Sequence, residues 1–147
     1  ITEQRRVIAK VLAESDDLTE PVADRAGSLL DGHIVLSRKL ADRGHFPAVD
    51  ILASVSRLMP VVTTEQHRQA AQKLRHIYAT YQDAEDLINI GAFSSGSNRH
   101  IDGAIALIDR IRNFLIQSMG QRTTFEQTVS QLTEITDIWD SLISDNE

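Results

Sequence analysis

Apolar side chains in the second half of the chain recur at steps of three and four. Between Thr63 and Ile90 they fall at Ala70, Ala71, Leu74, Ile77, Tyr78, Tyr81, Ala84, Leu87 and Ile88, which is one face of a long helix. Thr63 followed by Gln66 is a capping-box spacing that predicts the start, and Gly91 predicts the stop. After the loop "GAFSSGSN", Ile101, Ile105, Ile108, Ile111 and Leu115 predict a second amphipathic helix ending near Gly120. Thr123 with Glu126 opens a third, striped by Phe125, Val129, Leu132, Ile135, Ile138, Trp139 and Leu142. Three such helices on short loops predict a bundle. The acidic tail "SDNE" is expected to fray.

The first sixty residues follow another pattern. "ITEQRRVIAKVLAE" reads as helix from Val7, Ile8, Val11 and Leu12, although "VIAKVL" also passes as a strand. "SDDLTEPVAD" carries turn and capping residues before Pro21, which suits the first turn of a short helix running to about Asp31. "HIVLSRK", opened by Gly32, has the β-branched run of a buried strand. "KLADRG" predicts a brief helix stopped by Gly44, and Pro47 biases Phe46 toward an extended backbone. The pattern is therefore the end of a mixed α/β unit followed by a helical cap.

Composition narrows the function. With 147 residues, 41% hydrophobic and 24% charged, the chain fits a soluble globular unit able to form a core without staples. The absence of cysteine removes disulfides, thiolate metal sites and cysteine nucleophiles, and it is compatible with a reducing compartment. A net charge of −6 argues against a general nucleic-acid binder, because phosphate binding needs a basic face. No apolar run reaches the 18 or so residues that cross a bilayer, and no leader pattern is present. Ile1 in place of Met predicts a piece of something longer.

Candidate chemistry is sparse. Gly91 and Gly96 copy the spacing of a phosphate loop, but Ser97 and Asn98 stand where its lysine belongs, and the segment follows a helix instead of a strand. The five histidines, 33, 45, 67, 76 and 100, form no helical pair, so no metal site is expected and they read as surface or capping residues. Asp16 and Asp17 are adjacent and diverge, which makes them a poor acid/base pair. Arg57, in "DILASVSRLMP", is either a surface ion-pair arginine or a guanidinium held by a short proline-bounded element for a phosphoryl transition state. Phe46, fixed by Pro47, is either core or a stacking platform for a planar base. Residue physics leaves both pairs of readings open.

Taken together, "LLDGHIVLSRKLADRGHFPAVDILASVSRLMP", "TTEQHRQAAQKLRHIYATYQDAEDLINIGAF" and "GSNRHIDGAIALIDRIRNFLIQ" resemble the C-terminal third of the flagellar and type III secretion export ATPases, relatives of the ATP synthase α and β subunits. The likeness covers about residues 11 to 130, and "YQDAEDLINIGAF" looks more flagellar than virulence-type. It implies a mostly α chain: the end of a RecA-like α/β nucleotide-binding domain over residues 1–60, with 1–10 atypical, then a C-terminal helical bundle domain over residues 61–147.

The resemblance also implies a homohexamer that hydrolyses ATP with Mg2+ between neighbouring subunits and couples this to protein export. Arg57 matches an arginine finger that reaches the next subunit's site. Phe46, with Pro47, matches the aromatic position on the adenine of the subunit's own nucleotide. Phe125 matches a second adenine-pocket aromatic, and Met119 stands where synthase β subunits have another. The family's phosphate loop, magnesium-binding aspartate and catalytic glutamate belong to upstream segments, so these residues alone are expected neither to hydrolyse ATP nor to hold it stably. Expected partners are neighbouring subunits, export stalk or regulator proteins and substrate-chaperone complexes, with no nucleic acid. The expected location is cytoplasmic, peripheral to the inner membrane at the export gate. The rival expectations are a non-catalytic helical interaction module and a fragment of a synthase-type subunit.

Overall fold

The computed structural model describes residues 30–144 together with Lys10, Val11, Arg25, Gly27 and Leu29. Most of the expected opening helix, the start of the helix after Pro21, the Asp16–Asp17 pair and the acidic tail lie outside the described residues, and Lys10 and Val11, the two described residues of that opening segment, are not helical. The described elements run β1 (Gly32–Leu36), α1 (Arg38–Asp42), β2 (Val49–Ser56), α2 (Met59–Val62), α3 (Glu65–Asn89), α4 (Arg99–Leu115) and α5 (Phe125–Ser144).

The helical bundle follows from the period of its apolar positions. Leu74, Ile77 and Tyr78 of α3 meet Leu107, Ile108 and Ile111 of α4 and Leu132, Ile135 and Trp139 of α5 in one buried cluster. Gly103 lies under Trp139, where a Cβ would come within 2.9 Å of the ring. An alanine-sized group there would press on the buried indole.

Helix ends refine the expected boundaries. The cap of α3 is Thr64, not Thr63: its side chain accepts from the His67 N–H, while Thr63 Oγ1 donates to the Met59 carbonyl at 2.7 Å. The reciprocal capping box of α5 is Thr124 with Gln127, at 3.0 and 3.2 Å, not Thr123 with Glu126. In both places the chain carries two threonines in a row, and the second is the cap. Gly91, at φ 69°, does end α3 as expected. By contrast α4 stops at Leu115, five residues short of Gly120, because Ile116 turns into extended backbone.

β1 and β2 pair antiparallel, with an irregularity between His33 and Val35. There Asp50 Oδ1 accepts from the Leu52 and Ala53 N–H groups at 2.9 and 3.0 Å, and Ser54 Oγ accepts from the Val35 N–H at 3.0 Å. Side chains thus supply the bonds that the interrupted ladder lacks. β1 forms where expected but is not buried. Ile34 is 75% exposed, because the sheet has two strands among the described residues and leaves that face open. On its other side the sheet leans on the bundle through Ile51 and Leu52.

Candidate functional site

Arg57 follows the last residue of β2, and its side chain is exposed. Its backbone N–H donates to the Asp31 carbonyl at 2.8 Å, immediately before β1 begins. The strands come very close here, since a Cβ on Gly32 would stand 2.5 Å from the Val55 carbonyl oxygen. Only a residue without a side chain lets β1 hold that end of β2 so closely.

Phe46 lies before the other end of β2, and its ring is 54% exposed. The core reading of Phe46 is therefore excluded, and an accessible ring remains. The peptide joining it to Pro47, which is also exposed, is cis. Three backbone bonds fix the turn: the His45 N–H to the Leu40 carbonyl at 3.0 Å, the Ser37 N–H to the Ala48 carbonyl at 2.9 Å, and the Gln117 N–H to the Phe46 carbonyl at 2.8 Å. The last ties the turn to the loop that leaves α4.

His45 corrects the expectation of surface histidines, because it is only 7% exposed. Tucked in after the turn at Gly44, it has its pKa pushed below the usual 6.5, first by burial and then by the Arg112 guanidinium. Arg112 lies over the Tyr81 ring at 5.2 Å and reaches Glu85 at 3.8 Å, and Glu85 also accepts from Arg43 at 3.3 Å. The Phe46 turn therefore stands on a polar junction of α1, α3 and α4.

Met119 is fully exposed on the loop that begins beside Phe46, two residues beyond Gln117. That loop is pinned internally, with Gln117 Nε2 donating to the Gln121 carbonyl at 3.0 Å. Phe125 is also exposed, and its ring meets His67 edge-on at 5.6 Å. The structure thus links the Phe46 turn to the Met119 loop by a backbone bond, seats Phe125 against the start of α3, and holds Arg57 apart. β2 separates Arg57 from Phe46, and because its ends pair with Gly32 and Leu36, four residues apart on β1, those ends lie roughly 13 Å apart at ordinary strand rise.

Sequence reasoning missed four supports: Gly32, Gln117, Glu85 and Arg75, whose guanidinium reaches two β2 carbonyls. Gly32 carried a usable signal, a glycine opening a strand. The other three act on backbone atoms or across long sequence separations, which composition and period do not register. Among the described residues, no three or more His, Cys, Asp or Glu are grouped to hold a metal, and no helix is long and apolar enough to cross a membrane.

Comparison with known proteins accords with this arrangement. Residues 63–134 match the T3SS EscN ATPase C-terminal domain, and residues 6–56 match the ATP synthase alpha/beta family, nucleotide-binding domain. The "Flagellum-specific ATP synthase" of Bacillus subtilis (strain 168) is 48% identical over 86% of this chain and 29% of its own length. The "SPI-2 type 3 secretion system ATPase" of Salmonella typhimurium is 50% identical over 85% of this chain and 29% of its own length. Among solved structures, the assembled ATPase EscN from the enteropathogenic E. coli type III secretion system superposes with a TM-score of 0.82 at 42% identity, covering 86% of this chain and 31% of that one. The same ATPase in complex with its central stalk EscO gives 0.75 at 41% identity, covering 80% of this chain and 29% of that one. The chain spans less than a third of the length of these relatives. The two-stranded sheet followed by a three-helix bundle is the end of an ATP synthase-like fold, and the chain belongs to the family of flagellar and type III secretion ATPases.

Proposed function

We propose that this chain is the C-terminal part of an export ATPase whose homohexamer couples ATP hydrolysis to flagellar or type III protein secretion. One observation carries the reading: an exposed guanidinium and an exposed aromatic ring sit at opposite ends of one strand. In a ring, Phe46 and Pro47 would face the subunit's own adenine, while Arg57 would face the phosphates in the neighbour's site. Met119, on the loop tied to the Phe46 turn, would border the same pocket, with Phe125 as its second aromatic.

The exposed residues suit the two ends of a nucleotide, a planar apolar base and a polyanion. They would bind and orient ATP, and Arg57 would stabilise charge developing on the transferred phosphoryl group. ATP brings Mg2+ to the full-length protein, and we assign none of its ligands to this chain. The assembled state of EscN and its stalk EscO support neighbouring subunits and an export stalk as partners. Substrate-chaperone complexes would be further partners, with the work done at the cytoplasmic face of the inner membrane, beside the export gate.

The test is ATP turnover by the full-length hexamer carrying Arg57→Ala. Loss of a finger lowers turnover by on the order of 10³-fold or more, with assembly intact. Turnover near wild type in an intact ring removes the finger assignment.

A further inference from the structure

The strand that delivers Arg57 is paired with its own sheet at both ends but not in its middle. Backbone pairing between β1 and β2 is irregular between His33 and Val35, and the segment of β2 from Asp50 to Ser54 is braced by side chains instead. At that segment Arg75 of α3 reaches over. Its Nη1 donates to the Ser54 carbonyl and its Nη2 to the Leu52 carbonyl, each at 3.0 Å. Two parallel donors on a planar, permanently charged fork fix both the place and the orientation of the strand, which a single bond cannot do. Arg75 sits beside Leu74 and two residues before Ile77, both buried in the bundle core, so the fork stands on a rigid base. Ser54 is three residues before Arg57.

We infer that Arg75 is a positioning residue for Arg57, setting the register of β2 against the helical bundle so that the guanidinium at the strand's end is presented at the right distance from its target. It acts through two backbone carbonyls and touches no nucleotide. The inference rests on the finger role proposed above for Arg57. Through this fork, a shift of α3 would be passed directly to the finger.

The experiment is steady-state ATP turnover by the full-length hexamer with Arg75→Ala, Arg75→Lys, Arg57→Ala and the Arg57→Ala/Arg75→Ala double variant, assembly being checked by sizing. Displacing a catalytic group by about 1 Å costs on the order of 10²-fold. Arg75→Ala should therefore lower kcat by roughly 10-fold to 10²-fold and leave KM for ATP within about twofold, since the adenine side lies at the other end of the strand. Arg75→Lys keeps the charge but cannot bridge both carbonyls, so it should restore only part of the rate. If Arg75→Ala hinders assembly, Arg75→Lys still reports the loss of the fork in an assembled ring. The decisive readout is the double variant, which should be no slower than Arg57→Ala alone. An unchanged kcat in Arg75→Ala, full rescue by lysine, or a multiplied loss in the double variant overturns the inference while leaving the finger intact. Wild-type turnover in Arg57→Ala removes the finger itself, whatever Arg75→Ala does.

Discussion

Replacing Gly32 with alanine tests the close approach that holds the Arg57 end of the sheet. Gly32 does not adopt a left-handed φ, so alanine meets no conformational barrier there, and the whole effect comes from space. Its Cβ would stand 2.5 Å from the Val55 carbonyl oxygen and 3.2 Å from the Ser56 Cα. The first of these falls about 0.9 Å short of the 3.4 Å at which ordinary contact begins. Both obstacles are backbone and neither can rotate away, so the strands must part by nearly that amount. Overpacking of this kind costs about 1–3 kcal/mol.

The parting falls next to the 2.8 Å bond from the Arg57 N–H to the Asp31 carbonyl, so that bond should weaken first. We expect faster hydrogen exchange at the Arg57 amide. On the proposed reading, the full-length hexamer should lose about 10-fold to 10²-fold in turnover, from a displacement of about 1 Å. Gly27→Ala is the control: its nearest neighbour would be 3.6 Å away, an ordinary contact, and alanine is the better helix former. If Gly32→Ala keeps both wild-type turnover and wild-type protection at Arg57, the close-approach argument is wrong. A fall in turnover with protection unchanged would also refute the route through Arg57.

Two further predictions concern the bundle and its junction with the sheet. Gly103→Ala should gain about 1 kcal/mol of helix propensity but press a methyl against Trp139, which is too buried to move aside, at a cost of about 1–3 kcal/mol. A net loss of about 1 kcal/mol is expected in urea unfolding, and a more stable variant would show that the indole relaxes freely. His45 has a folded-state pKa below 6.5, so the folded form binds fewer protons than the unfolded one. Its contribution is therefore fully present above that value and declines as the pH falls below it. The urea midpoint should drop between about pH 7.5 and pH 5.5 by more in the native protein than in His45→Gln, and equal slopes would contradict this.

The helices were legible because their apolar positions kept one period over long stretches, and each buried stripe supports the others in the core. Their ends were less so. The paired threonines offered two caps each, and only the path of the incoming chain decides between them. The early end of α4 depends on Gln117 bonding to Phe46, a contact across 71 residues that leaves no periodic trace. The sheet's exposure was misjudged because a β-branched run reports a preference for pleated surface, not the presence of a covering layer. His45 was misjudged because a single polar residue after a glycine turn gives no sign of which way its ring folds. The exposure of Phe46 likewise depends on neighbours that only the fold supplies.

Arg75 marks the deeper limit. A residue-to-residue ion pair leaves two charges in a sequence, whereas an arginine that binds carbonyls leaves only one, and any residues at Leu52 and Ser54 would offer the same oxygens. The same holds for the Phe46 turn, which the bundle grips through a carbonyl. The Arg57 end of β2 is thus held to α3 by a guanidinium fork, and the Phe46 end to the exit of α4 by a backbone bond, above a polar junction in which α3 also takes part. On the proposed reading these ends serve different nucleotides.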